Sequence, residues 1–141
     1  MPITIVRASI GSAGSTALLR AAEAAADAFG SAVAIAVVDE SGVLKGFSRM
    51  DGAPLLSNDI ARDKALTAAS FGVATHLWYD RIKADPALVH GLGKAAGFTL
   101  LGGGVPIVAD GAVVGGIGVS GGSAEEDLAI AEAALKALEA A

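Results

Sequence analysis

Residues 102–122 read GGGVPIVADGAVVGGIGVSGG, and the fold is decided by how this stretch is read. Two β-branched runs, Val105–Val108 and Val113–Val119, flank Asp110-Gly111. A two-residue Asp-Gly between apolar runs is the strongest short-range hairpin signal. Glycines crowd both ends, at Gly102–Gly104 and at Gly121–Gly122. Because glycine weakens a strand, such density marks tight turns, positive φ, or close approach of a ligand or another backbone.

Working outward from the hairpin gives a consistent alternation. Ile3–Val6 predicts a short strand, broken by Gly11 and Gly14. Ser15 is placed to cap a helix running to Ala28, with Gly30 just past its end. Ala32–Val38 is wholly apolar and too short for a helix, hence a central strand. The Asp39–Gly42 turn leads into a strand over Val43–Ser48, followed by a loop over Met50–Leu56. Ser57 or Asn58 caps a helix that stops at Gly72. Thr75–Lys94 predicts helical pieces interrupted at Asp85-Pro86, and Phe98–Leu101 a further strand. Ser123 and Glu126 form a capping box for a last helix whose buried stripe is Leu128, Ala131, Leu135 and Leu138. Strands joined mostly by hairpins imply one α+β domain over residues 1–141, with a mainly antiparallel sheet flanked by helices.

Composition narrows the partners. The chain has 141 residues, net charge −5, 53 % hydrophobic and 18 % charged residues, and no cysteine. The acidic balance argues against nucleic acid and anionic membranes as non-specific partners. A sparsely charged, alanine-rich surface points to self-assembly into a homo-oligomer. Without cysteine there is no disulfide, no thiolate nucleophile and no cysteine-bound metal. The first residues lack the pattern of a signal peptide and no apolar run spans a membrane, so the expected location is cytoplasmic.

Several side chains carry candidate chemistry. On the helix after Asn58, Lys64 falls inside the apolar arc, where an ammonium needs a carboxylate, a carbonyl or a ligand. Asp39 and Asp51 are the carboxylates considered for it; snorkelling is the other outcome. Arg49, at a strand end, has the fork to hold a carboxylate or to pair with Asp51. Asp39 ends a strand and can cap the turn that follows. His76 and His90 lack the i, i+4 partner of a helical metal site, but either could serve as an axial ligand. Ser120, in Gly118-Val119-Ser120-Gly121-Gly122, is read as bordering a glycine-rich pocket. It is not read as a nucleophile, since Val119 is taken to precede a loop and no histidine stands in a recognisable order. No phosphate-cradling glycine motif is present.

Asp39-x-x-Gly42, Arg49-Met50-Asp51-Gly52-Ala53, Ser57, Lys64-Ala65-x-Thr67-Ala68, Thr75, Gly103-Gly104-x-Pro106 and Gly116-x-Gly118-Val119-Ser120-Gly121 occur together and in this order. In this the chain resembles the GlcG/HbpS-like family, which includes the C-terminal domain of PduO-type proteins, over residues 17–139. The resemblance implies a profilin-like α/β domain that assembles into homo-oligomers and a small-molecule ligand, for some members heme. The first helix of heme-binding PduO-type domains can supply a histidine. Ser15–Phe29 contains none, which leaves a threonine, a lysine or His76 to approach iron. The expected ligand-binding set is Arg49, Asp51, Thr67, Thr75, His76, Gly103, Gly104, Ser120 and Gly121. The alternative is a cofactor-independent enzyme acting on a small anionic metabolite. There Arg49 would anchor a carboxylate and Lys64 or Asp39 would exchange a proton. Under either reading Lys64, Arg49, Asp39 and both glycine stretches are expected around one cavity.

Overall fold

In the computed structural model, which describes residues 1–140, the expected hairpin is present: β3 (Gly104–Ala109) turns into β4 (Ala112–Ser120). Asp110 at φ 50° and Gly111 at φ 77° both occupy the left-handed region, as a two-residue type I′ turn requires. Before the hairpin come α1 (Ser12–Phe29), β1 (Ala34–Asp39), β2 (Leu44–Arg49) and α2 (Ser57–Phe71). A 3₁₀ turn (Thr75–Leu77), α3 (Trp78–Ile82) and α4 (Pro86–Leu92) follow α2, and α5 (Ala124–Glu139) follows β4. The strands form one sheet in the order β2-β1-β4-β3, with every neighbouring pair antiparallel.

The sheet is covered on both faces, which explains why β1 is apolar at nearly every position. Ile35 and Val37 join Val33, Ile117 and Val119 in a core with Leu18, Ala22 and Ala26 of α1 and Ile130, Ala131 and Ala134 of α5. The alternate residues Ala34, Ala36 and Val38 meet Ala61, Ala65 and Ala69 of α2 on the other face. All three contacts from α2 are alanines, so the helix lies unusually close to the sheet. Gly116 and Gly118 of β4 complete this approach. A Cβ on Gly118 would collide with Ala61 O and stand 2.6 Å from Ala65 N, and one on Gly116 would collide with Ala65 O. These strand glycines therefore make room for a neighbouring backbone.

Several expectations are corrected. Ile3–Val6 is not a strand; its three aliphatic residues are exposed. Ser15 does not cap α1, whose N-cap is Gly11. It sits inside the helix, buried, with its hydroxyl unpaired. The N-cap of α2 is Leu56, with no side-chain cap bond. Phe98–Leu101 is irregular, because two threonines take up its backbone groups, as described below. The capping box of α5 forms as expected, but the buried stripe is Asp127, Ile130, Ala131 and Ala134.

Candidate functional site

The buried face of α2 carries Lys64, 2 % exposed, among Ala61, Ala65 and Ala68. With α2 pressed onto β4, the lysine stem reaches past the sheet. Its Nζ donates to Val119 O at 2.7 Å and to Asp127 Oδ2 at 3.1 Å. Asp127 is equally buried on α5, and its Oδ1 accepts Gly122 N–H at 2.9 Å. One ion pair thus ties α2, the end of β4, the glycine turn and α5 together. Burial pushes the Lys64 ammonium below the ordinary lysine range, and the Asp127 carboxylate draws it part of the way back.

Two threonines organise the segment leading into β3. Thr67 Oγ1 donates to Gly97 O at 2.8 Å and accepts Thr99 N–H at 3.1 Å. Thr75 Oγ1 donates to Leu101 O at 2.7 Å and accepts Gly104 N–H at 2.9 Å. The chain between is threaded through a gap that admits no side chain. Gly103 has φ +123°, and a Cβ there would lie 2.6 Å from Val119 O and 2.9 Å from Lys64 Nζ. Gly121, at φ +137°, would put a Cβ 2.7 Å from Ala32 O. A Cβ on Gly104 would collide with Lys64 O.

Above the ion pair opens a cleft of about 320 Å³. Its floor is Lys64, Asp127, Ser120, Gly121 and Gly122, and its walls are Pro54, Ile60, Leu101 and Ala124. His76, exposed, lies behind Gly102, where an added Cβ would be 3.1 Å from His76 Cβ, and is not itself among the residues lining the cleft. Ser120 closes β4 three residues before α5. The irregular stretch 121–123 joins it to the helix, and Ser120 lines the cleft.

The structure brings together Lys64, Ser120 and Gly121, with Gly103, Gly104 and Thr75 packed around them and His76 behind Gly102. It keeps the others apart. Arg49 and Asp51 line a separate depression of about 390 Å³ with Glu23, Asp27 and Met50. Asp39 Oδ1 accepts the backbone N–H groups of Ser41 at 2.9 Å and Val43 at 3.0 Å, which makes it the turn cap. Thr67 faces the Gly97–Thr99 backbone and borders an apolar hollow with Phe71 and Phe98. The single cavity expected for Lys64, Arg49 and Asp39 is therefore divided. The partner of Lys64 is neither Asp39 nor Asp51 but Asp127, which sequence reasoning missed. Its signal was present: Asp127 is in helical phase with Ile130, Ala131 and Ala134, a carboxylate on the buried side of α5 matching an ammonium on the buried side of α2.

A family model described as haem degrading protein HbpS-like matches residues 11–136. The corrinoid adenosyltransferase PduO of Citrobacter freundii is 38 % identical over 125 residues, which is 86 % of this chain and 36 % of that protein. The chain thus spans about a third of the length of that relative. Among solved structures, protein ORFY of Klebsiella pneumoniae superposes with a TM-score of 0.94 at 30 % identity, over 100 % of this chain and 98 % of that one. A PduOC:heme complex superposes with a TM-score of 0.83 at 32 % identity, over 92 % and 94 % of the two chains. With the family model covering most of its length and the same antiparallel sheet at its centre, the chain belongs to the HbpS-like family.

Proposed function

We propose that the protein binds heme or a related tetrapyrrole, seated in the cleft above the Lys64–Asp127 pair with His76 as the axial ligand. The observation that carries this is the juxtaposition of apolar walls, Pro54, Ile60, Leu101 and Ala124, with the exposed His76, whose Cβ would stand 3.1 Å from a Cβ on the cleft residue Gly102. Small-molecule sites run from about 300 to 1,000 Å³, so a cleft of about 320 Å³ takes one edge of a macrocycle and leaves the rest on the rim. The donor available near the cleft is a single histidine, His76. No three His, Asp or Glu side chains converge among the described residues, and a macrocycle that brings its own four nitrogens asks the protein for one. Heme would supply a porphyrin-held iron open to ligand exchange. Pro54, Ile60, Leu101 and Ala124 would supply the apolar contacts for a bound ring. Lys64 is engaged by Asp127 and Val119 O, so carboxylates on a bound ligand face solvent. The PduOC:heme complex among the structural relatives supports the same choice of ligand.

The reading takes the protein as cytoplasmic. It also takes it as a homo-oligomer, in keeping with its low charge and its many exposed large apolar side chains. The acid/base alternative needed Arg49 and either Lys64 or Asp39 around one ligand, and their separation leaves it without a site.

Hemin titrated into the protein should give a Soret band that saturates at a fixed ratio per chain. His76→Ala should shift that band while the far-UV spectrum stays unchanged, and Ala124→Trp, filling the cleft, should weaken binding. A titration that never saturates would overturn the proposal. So would saturation indifferent to both substitutions.

A further inference from the structure

Residues 1–9 leave the body of the protein. Ile10 is the first buried residue, and its N–H bonds Val114 O at 2.9 Å. Ahead of it, Ile3 and Val6 are each 101 % exposed and Ile5 70 %. Ile3-Thr4-Ile5-Val6 has the composition of a strand, yet no strand of its own chain pairs with it. A β-branched segment outside the sheet, with backbone groups not paired in any strand of its own chain, can serve as an added strand.

The same chain carries a matching surface. β2 is an edge strand, and beside it runs a groove of about 280 Å³ lined by Leu44, Phe47, Asn58, Asp59 and Arg62. A second hollow of about 360 Å³ continues it, sharing Leu44, Asp59 and Arg62 and adding Asp63. Val43 and Leu44 are exposed, and Asn58 Oδ1 is buried without a hydrogen-bond partner. The opposite edge, β3, contains Pro106, and a proline lacks the donor that an added strand would use.

Position and charge indicate a second copy as the occupant. Glu40 in the β1–β2 turn is held below the ordinary carboxylate range by hydroxyls of Ser9 and Ser41 and, least, by the Arg7 charge, so the arm departs near the turn whose exposed Val43 and Leu44 lead into the groove. Arm and groove adjoin on one surface, the arrangement that an isologous two-fold contact requires. The only charged side chain of the arm is Arg7, whereas the groove sets Asp59 and Asp63 against Arg62. Burial and the neighbouring Asp59 push the Asp63 carboxyl up, so a further cation there is favourable.

We propose that residues 1–7 of one copy lie along the outer edge of β2 in a second copy, with Ile3 and Ile5 against Leu44 and Phe47, and that the exchange is reciprocal. The proposal rests on the reading that the chain self-assembles. The absence of cysteine allows a direct test on the full chain. Ile5→Cys and Leu44→Cys, prepared separately, mixed and oxidised, should give a mixed disulfide dimer. Its yield should be several-fold above that of Ile5→Cys with Val108→Cys, on the opposite edge strand. The double variant Ile3→Asp, Ile5→Asp should lower the mass seen by light scattering at micromolar concentration. Its far-UV spectrum should not change, because Ile3 and Ile5 lie outside the core of their own subunit. Preferential cross-linking to Val108→Cys would overturn the proposal. A wild type that is already monomeric would remove the self-assembly reading itself, whereas an oligomer indifferent to the double variant would remove only the arm exchange.

Discussion

Replacing Lys64 by methionine keeps the length of the side chain and removes its charge, and the structure sets the size of the effect. Both partners of the Lys64–Asp127 pair have side chains only 3 % exposed, so solvent does not screen the loss. Taking one member from a buried pair typically destabilises by about 3–5 kcal/mol, because the other charge is left buried and alone. Protonation offers that carboxylate an escape. An ordinary aspartate titrates near 3.9, so neutralising it at pH 7 costs about 3 units of about 1.4 kcal/mol each, a ceiling of about 4 kcal/mol. At pH 5 the same ceiling is about 1.5 kcal/mol. The sign follows from linkage. The carboxyl stripped of its partner holds its proton more tightly folded than unfolded, so the variant loses stability relative to wild type as pH rises. Urea unfolding at pH 7 should therefore show a loss of about 4 kcal/mol, shrinking toward pH 5. Adding Asp127→Leu should recover part of it, leaving mainly the orphaned Gly122 N–H, worth about 1–3 kcal/mol. A single variant within about 1 kcal/mol of wild type at pH 7, the size expected of an ordinary surface lysine, would refute this reasoning. So would a double variant no more stable than the single one.

Gly118→Ala should be among the most damaging small substitutions in the chain. Its Cβ would meet backbone atoms of Ala61 and Ala65, which cannot swing aside, so a loss of about 3 kcal/mol or more is expected in chemical denaturation. Gly91→Ala, inside α4 with nothing within 4 Å, is the control that should not destabilise. Thr75→Val keeps the shape but removes the hydroxyl that holds Leu101 O and Gly104 N–H. At about 1 kcal/mol for each bond lost it should destabilise by about 2 kcal/mol, with faster amide exchange at Gly104 as the local signature.

The layering was legible because its signals are local. Asp110-Gly111 has one good conformation between two β-branched runs, and β1 is apolar on both faces because helices cover both. What failed was whatever depended on a distant partner. Ile3–Val6 has the composition of a strand, but composition does not say whether an edge is available, and both edges of this sheet lie elsewhere. Phe98–Leu101 has strand-like residues, yet Thr67 and Thr75 capture its backbone groups from 26 to 32 residues away. The site was half visible. The position of Lys64 in an apolar arc required a partner, but the search looked to Asp39 and Asp51, near in sequence. Asp127 lies 63 residues on. Two opposite charges, each in phase with the buried side of its own helix, are the pattern that would have joined them.

The glycines that opened the sequence reading turn out to act through that pair. Because Gly116 and Gly118 lack side chains, Ala61 and Ala65 rest directly on β4, and this close seat carries Lys64 deep enough to reach Val119 O and Asp127. Gly103 then passes over the ammonium where any side chain would displace it. Each part of the floor presupposes the others: a Cβ on β4 would lift α2, lifting α2 would withdraw the ammonium, and without it Asp127 would be left without its partner on α5. The walls carry no such constraint. Pro54, Leu101 and Ala124 and the neighbouring His76 are partly or largely exposed, and His76 engages no partner of its own among the hydrogen bonds and ion pairs of the described residues. A substitution in the floor therefore acts on folding before it acts on binding, whereas one in the wall or at His76 acts on binding alone. On the proposed reading, selectivity for a ligand would be set by the exposed residues at 54, 76, 101 and 124, while the motif-bearing floor would set whether there is a cleft to fill.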